Sequence, residues 1–211
     1  MKPPLSLTLY RDSREHFVMP YNPVRLWYPG PAHTPLRFLI KAEKFAMTAS
    51  SGYAGDYALK DFPLAGGLER KASIRELYNN LLGAMKERAR FLRALDRFAR
   101  LSHPYLWLDM DWTDMFAFED LDPLRIHDLL LRVCQQRRIA IIGPTCAKTP
   151  KTRLKMGNFL VGLLISAAFG PSDVPETSPQ KIFGNIGFSL DTGNVSRLDS
   201  QDEVAAVSNS N

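Results

Sequence analysis

The stretch Gly55 to Lys71, GDYALKDFPLAGGLERK, places an aspartate, a glutamate and a lysine within reach of one another. On an extended strand residues i and i+2 share a face, about 6.6–7 Å apart along the chain, so Glu69 and Lys71 project together while Arg70 points away. Gly66 and Gly67 predict a turn just before that strand, and hence a hairpin that returns Asp56 toward Glu69. Two carboxylates beside one ammonium suit metal-dependent phosphodiester cleavage. The carboxylates hold a hard divalent cation, and the lysine orients or deprotonates a water. The same Glu-Arg-Lys triplet also suits a plain solvated charge run.

The elements that must position these groups follow from periodicity. Leu5, Leu7 and Leu9 alternate with polar residues, predicting a half-buried strand that delivers Asp12, Arg14 and Glu15 at its end. Met19 to Pro35 holds five prolines with Tyr21, Trp27 and Tyr28, which predicts a surface loop whose rings either pack over the core edge or stack on unpaired bases. Leu36–Met47 and Tyr53–Leu59 read as consecutive strands joined by a turn at Ser50-Ser51-Gly52, so that Asp56 lies in a strand paired with the one bearing Glu69 and Lys71. After Lys71, Ser73 with Glu76 forms a capping-box pattern, and Ile74, Leu77, Leu81 and Met85 follow at helical spacing.

Gly83 breaks that helix before a second one that runs to Leu101. Its basic residues include Arg90, Arg93 and Arg97, either a solvated face or a surface that tracks a phosphate backbone. Tyr105–Met110 predicts a central strand with Asp109 at its edge, Asp122-Pro123 an N-cap and first turn, Arg138–Gly143 a buried strand, and Thr152–Ala168 the last helix. Lys148 and Lys151 at that helix start suit phosphate contacts. Gly143 with Lys148-Thr149 lacks the second glycine of a nucleotide-binding loop, so nucleotide hydrolysis is set aside. Strands alternating with helices predict an α/β fold with a mixed central sheet.

Composition bounds the partners. The 211 residues are 45% hydrophobic and 23% charged, as in globular domains, with a net charge of +5. Residues 171–211 hold six acids against two bases, so the preceding body, 1–170, is more basic than the whole and suits a polyanion. The polar tail 171–211 is expected to be disordered. Cys134 and Cys146 are far apart with no adjacent histidines, which argues against a zinc site or a disulfide framework and makes the cytoplasm the default compartment. The longest apolar stretch, Phe159–Phe169, is too short to span a bilayer, so no membrane role is expected.

Three signals in order resemble a known family. The GD…ERK stretch is similar to the signature of the ERCC4 nuclease domain, the catalytic domain of the XPF and Mus81 structure-selective endonucleases. Asp12-Ser13-Arg14-Glu15 resembles the D-x-R-E that opens that domain, and Tyr105-Leu106-Trp107-Leu108-Asp109 its strand ending in an acid. The likeness spans roughly residues 5–168 and implies a restriction-endonuclease-like core. It also implies a Mg²⁺- or Mn²⁺-dependent endodeoxyribonuclease acting on duplex, branched or nicked DNA.

On that reading Asp56, Glu69 and the carbonyl of Arg70 hold the metal, Lys71 positions the water, and Asp12 is a second-line ligand. Arg14, Arg70, Arg90, Arg93, Arg97, Lys148 and Lys151 face DNA. The family pattern continues ERK-x3-D, whereas Arg75 stands at that position with Glu76 beside it, so Glu76 stays outside the catalytic set. Residues 171–211 are too polar to supply the helix-hairpin-helix module that usually follows this domain in its relatives, and the expectation is a freestanding nuclease that engages DNA alone, as a homodimer, or through a DNA-targeting partner. The rival expectations are a non-catalytic DNA-binding or scaffold subunit, and a nuclease acting on RNA.

Overall fold

In the computed structural model, which describes residues 5–27, 36–116, 122–143 and 148–169, the alternation of Leu5, Leu7 and Leu9 produces strand β1 (Leu5–Asp12). Leu7 and Leu9 are buried on one face and Tyr10 and Asp12 on the other. β1 is parallel to β3 (Leu36–Phe45) and antiparallel to β4 (Tyr57–Leu59). It therefore lies between two strands that the sequence suggested were neighbours. The segment after β3 is long enough to pass over the end of β1, where Ser13 N–H donates to the Phe45 carbonyl at 3.0 Å and Asp12 N–H to the Asp56 carbonyl at 2.9 Å. These bonds tie the ends of β3, β1 and the approach to β4 together.

The proline-rich segment is not all loop. Val24–Trp27 forms β2, antiparallel to β3 at the sheet edge, where the neighbouring Pro23 removes no ladder donor and its carbonyl accepts from Ile40 N–H at 2.8 Å. Residues 28–35 of that segment lie outside the described set. On the other side β4 pairs antiparallel with β5 (Gly66–Lys71), and β5, β6 (His103–Leu108) and β7 (Ala140–Ile142) run parallel. The sheet order is β2-β3-β1-β4-β5-β6-β7.

Gly66 and Gly67 belong to β5 itself, and the turn from β4 occupies residues 60–65. A Cβ on Gly67 would stand 2.7 Å from the Ala54 carbonyl, so this glycine permits close backbone packing and not a turn. β4 begins at Tyr57, later than expected, because Gly55 takes φ +91° and bends the chain immediately before Asp56. Asp109 follows β6 rather than closing it, and Arg138, with φ 56°, precedes β7.

Helices α1 (Ile74–Leu81), α2 (Met85–Phe98) and α3 (Pro123–Gln136) cover one face of the sheet. Their Ile74, Leu77, Phe91, Leu95, Ile126 and Leu130 pack with Leu106 and Leu108 of β6. Helix α4 (Pro150–Phe169) covers the other face, where Leu160, Val161, Leu164 and Ile165 meet Leu9, Phe38, Tyr57, Leu68 and Trp107. Ser73 caps α1 by accepting from Glu76 N–H, and Asp122 caps α3 ahead of Pro123.

The result is an α/β sandwich with a mixed sheet, compatible with a restriction-endonuclease-like core. No helix among the described residues is long and apolar enough to cross a membrane. Cys134 is buried and free, while Cys146 and the tail 171–211 fall outside the described residues.

Gly55 should be intolerant of a side chain. Its φ disfavours L residues, and an added Cβ would lie 2.6 Å from the Leu68 carbonyl. Gly55→Ala is expected to cost about 1–3 kcal/mol in urea unfolding. An unchanged midpoint would show that the bend before Asp56 is not fixed by this glycine.

Candidate active site

The alternation of β5 sorts its three charged residues onto two faces. Glu69 and Lys71 look toward α1 and α2, and Arg70 looks toward α4. Asp56 is bound to the same strand. Its N–H donates to the Leu68 carbonyl at 2.6 Å, and its Oδ2 accepts from Arg70 N–H at 2.7 Å. The Lys71 carbonyl accepts from Asp109 N–H on the β6 side, so the alternate carbonyl, that of Arg70, projects toward Asp56 beyond the end of β4. Asp56 and Glu69 thus line one cleft, with the Arg70 backbone turned toward Asp56.

Lys71 is the most constrained member. It is 6% exposed, and its Nζ donates to Glu69 Oε1 at 2.9 Å and Glu76 Oε1 at 3.0 Å, 5.2 Å from the centre of the Phe91 ring. Burial favours the neutral amine, but the charges of Glu69 and Glu76 outweigh it and raise the pKa of the group. Lys71 is therefore an ammonium at neutral pH. Of the two roles open in the sequence, it can orient a water or a phosphate oxygen, but it is poorly suited to removing a proton.

Asp56 is perturbed the opposite way for an acid. Burial first, and then the nearby charge of Glu69, push it up to about 8, against the stabilising Arg70 N–H and Lys71. A buried carboxylate that resists ionisation beside a second acid marks a site short of positive charge. Two carboxylates and a peptide carbonyl are hard oxygen donors, suited to Mg²⁺ or Mn²⁺ with waters completing the shell. Among the described residues no group of three or more His, Cys, Asp or Glu side chains is arranged to hold a metal. The candidate set is thus two side chains plus backbone.

These groups sit in a cleft of about 870 Å³. Arg90, Arg93 and Arg97 of α2 line it together with Asp56, Glu69 and Lys71. Arg90 is steadied by Glu87 at 2.7 Å. Arg14 reaches the same cleft from the end of β1. Asp12 does not line it. Its carboxylate, 1% exposed, accepts from Arg14 N–H at 2.8 Å, Nε at 2.9 Å and Nη2 at 2.7 Å. The structure therefore gives Asp12 the task of holding Arg14, in place of the second-line ligation expected of it.

The Arg70 side chain is also elsewhere. It lies on the α4 face, with Nε and Nη2 both 2.8 Å from Asp109 Oδ2, Nη1 3.6 Å from Glu15, and its guanidinium 4.2 Å from the centre of the Phe17 ring. Its expected DNA contact is replaced by this internal network. Lys148, 3.0 Å from Asp111, and Lys151 stand at the start of α4 and do not line the cleft.

Sequence reasoning set aside Glu76 and overlooked Asn79 and Asn80, all of which line the cleft. Glu76 binds Lys71 with one oxygen and Ala72 N–H with the other, at 3.1 Å. The overlooked signal was the polar spacing Glu76, Asn79, Asn80, Gly83 on the helix side away from Leu77 and Leu81. Comparison with protein-family models, curated proteins and solved structures yields no match to this chain.

Asp56 gives a pH-dependent prediction in metal-free buffer. Because its folded pKa, about 8, exceeds the ordinary carboxylate value of about 3.9, the folded state holds the extra proton between them, and stability falls as pH rises through that window. Asparagine keeps an oxygen for Arg70 N–H and has no proton to lose. In EDTA, Asp56→Asn should therefore gain in Tm relative to wild type as the pH goes from about 5 to about 8.5. Parallel Tm curves for the two proteins would show that Asp56 ionises normally.

Proposed function

We propose that this protein is a divalent-metal-dependent DNA endonuclease that hydrolyses phosphodiester bonds. The carrying observation is the meeting of Asp56, Glu69 and Lys71 in one cleft with Arg90, Arg93 and Arg97. Acids that attract a cation and arginines that attract phosphates complement a single ligand, a polyanion delivered to a metal. Asp56, Glu69 and the Arg70 carbonyl are the groups that would hold Mg²⁺ or Mn²⁺. When bound, such an ion supplies Lewis acidity and lowers the pKa of a coordinated water.

The remaining work falls to the chain itself. Arg90, Arg93 and Arg97 engage phosphates flanking the scissile one, which fixes the strand in the cleft. Lys71, an ammonium backed by Glu76, donates hydrogen bonds toward the water or the phosphate oxygens, where negative charge grows in the transition state. Glu76 keeps that ammonium in place when Glu69 is engaged elsewhere.

One observation favours the second reading, a non-catalytic DNA-binding partner. Lys71 is already occupied by two carboxylates, as a purely structural lysine would be. Labelled duplex, fork and flap DNA incubated with and without Mg²⁺ or Mn²⁺ separate the two. Cleavage should require metal and vanish in Glu69→Gln with folding retained. Lys71→Ala should bind DNA in Ca²⁺ yet lose about 10²–10³-fold in single-turnover rate, the scale for one transition-state donor. Full activity in EDTA sinks the metal mechanism, and an inactive wild type on every substrate favours the binding partner.

The basic wall makes a separate prediction. Replacing Arg90, Arg93 and Arg97 by glutamine should weaken DNA binding and flatten its dependence on salt, since fewer counterions are released. An unaltered slope would return that helix face to solvent.

A further inference from the structure

Helices α1, α2 and α3 cover the β5–β7 side of their face of the sheet, and the β3-β1-β4 side of that face is covered differently. There Tyr10 of β1, Phe45 of β3 and Ala58 of β4 gather with Met47 and Tyr53 into a small cluster to which, among the described residues, no helix contributes. Tyr10 and Phe45 stack at 4.4 Å between ring centres, 6° from parallel. Tyr53 meets both edgewise, at 5.2 and 5.3 Å, and its hydroxyl donates to the Lys60 carbonyl. Its ring is therefore fixed, yet it remains half-exposed and lines the cleft that holds Asp56, Glu69 and Lys71. Met47 lines the same cleft.

The cleft thus has two kinds of lining. Met47, Tyr53, Ala54 and Gly55 supply an aromatic and apolar surface, while α2 supplies arginines. A nucleic-acid strand has the same duality, with flat apolar bases on one side and phosphates on the other. Phosphates belong with the arginines, and bases with the braced ring. A base held in a duplex is already stacked and paired, and cannot offer its face to a side ring. Lys60, exposed and 5.8 Å from the Tyr10 ring centre, stands beside the cluster with its charge offset by Glu43 and Asp61, so the phosphate attraction comes from α2 and not from this side.

We propose that Tyr53, braced by Tyr10 and Phe45, is a base-stacking subsite, and that the strand in the cleft carries an unpaired nucleotide next to the phosphate at Asp56 and Glu69. The placement of that phosphate rests on the nuclease reading. The stacking itself does not. A preorganised ring loses little freedom on binding, and because every base has a π face the preference is for unpaired structure and not for sequence.

The test is equilibrium binding in Ca²⁺ of a labelled single-stranded oligonucleotide, its blunt duplex, and a series with one abasic site moved along the strand. Wild type should bind the single strand more tightly than the duplex. Tyr53→Leu should weaken single-strand binding about 5–100-fold, with Tyr53→Phe close to wild type and duplex binding unchanged. One abasic position should weaken wild type but not Tyr53→Leu, a coupling that a merely structural tyrosine would not produce.

Equal losses on both substrates, or Tyr53→Leu binding like wild type, would overturn the subsite. Should Tyr53→Leu fail to fold, the abasic series on wild type decides alone, and the absence of a position-specific loss rejects the proposal. Cleavage assays with Mg²⁺ or Mn²⁺ keep the two readings apart. Cutting without single-strand preference leaves a nuclease without this subsite, whereas stacking without cutting leaves the subsite on a binding protein.

Discussion

The ammonium of Lys71, held between Glu69 and Glu76, is the interaction on which this end of the molecule depends. A lysine so buried persists only with partners. A buried charge left with no partner costs about 3–5 kcal/mol, and two carboxylates guard against that, since either one alone still pairs the ammonium. Here the partners come from different elements. Glu69 belongs to the same strand, whereas Glu76 lies in the first turn of α1 and also receives Ala72 N–H. One charge therefore sets both the side-chain geometry of β5 and the point at which the chain leaves the strand for the helix. It also moderates the repulsion between Glu69 and Asp56, although burial, with the remaining repulsion, still holds Asp56 protonated well above the usual carboxylate range.

A strand with Glu-Arg-Lys in its interior needs separate compensation on each side. The opposite face of β5 meets that need with Arg70, whose guanidinium spans Asp109 and Glu15 and packs on Phe17 and Trp107. Asp109 follows β6, and Glu15 follows β1, so the Arg70 side chain gathers the ends of strands on the α4 side as Lys71 gathers β5 and α1 on the other. The backbone between them is thereby fixed from both faces. That is the segment whose N–H holds Asp56. The geometry of the acids is a consequence of two ion-pair networks on opposite sides of one strand, neither of which contains all of the site residues.

Local patterns in the sequence were sufficient for most of this and insufficient for the rest. Period-2 alternation identified β1 and the shared face of Glu69 and Lys71. The Ser73 and Asp122 caps marked the starts of α1 and α3. Pairing order was not legible, because a strand's alternation does not say which strand lies beside it. Thus β1 could insert between β3 and β4 without any local signal. The same limit applies to Asp12 and Arg70, whose residue types suggested chemistry. Asp12 is satisfied by its near neighbour Arg14, Arg70 by partners distant in sequence, and no spacing rule distinguishes such uses from catalytic ones. The mixed sheet between helices was foreseeable from alternation of element types, and the covering of its faces was not.

That covering explains why a cleft exists here at all. α4 packs against strands from both halves of the sheet, with Leu9 and Phe38 at one side and Trp107 at the other. The opposite layer is uneven. α1, α2 and α3 gather over Leu106 and Leu108, and the end of α2 stops where Phe98 meets Gly55 and Gly67. Beyond that boundary, among the described residues, the Tyr10, Phe45 and Tyr53 cluster shields the sheet. A step in the layer leaves a trough at its edge, and the bend at Gly55 brings Asp56 to that edge. Glycines at 55 and 67 let backbone and helix approach closely enough for Asp56 to reach Arg70 N–H, so the depth of the trough and the position of its acids have one steric origin. A bulkier residue at either position would push α2 or the Ala54 carbonyl away, widening the trough and loosening Asp56 together.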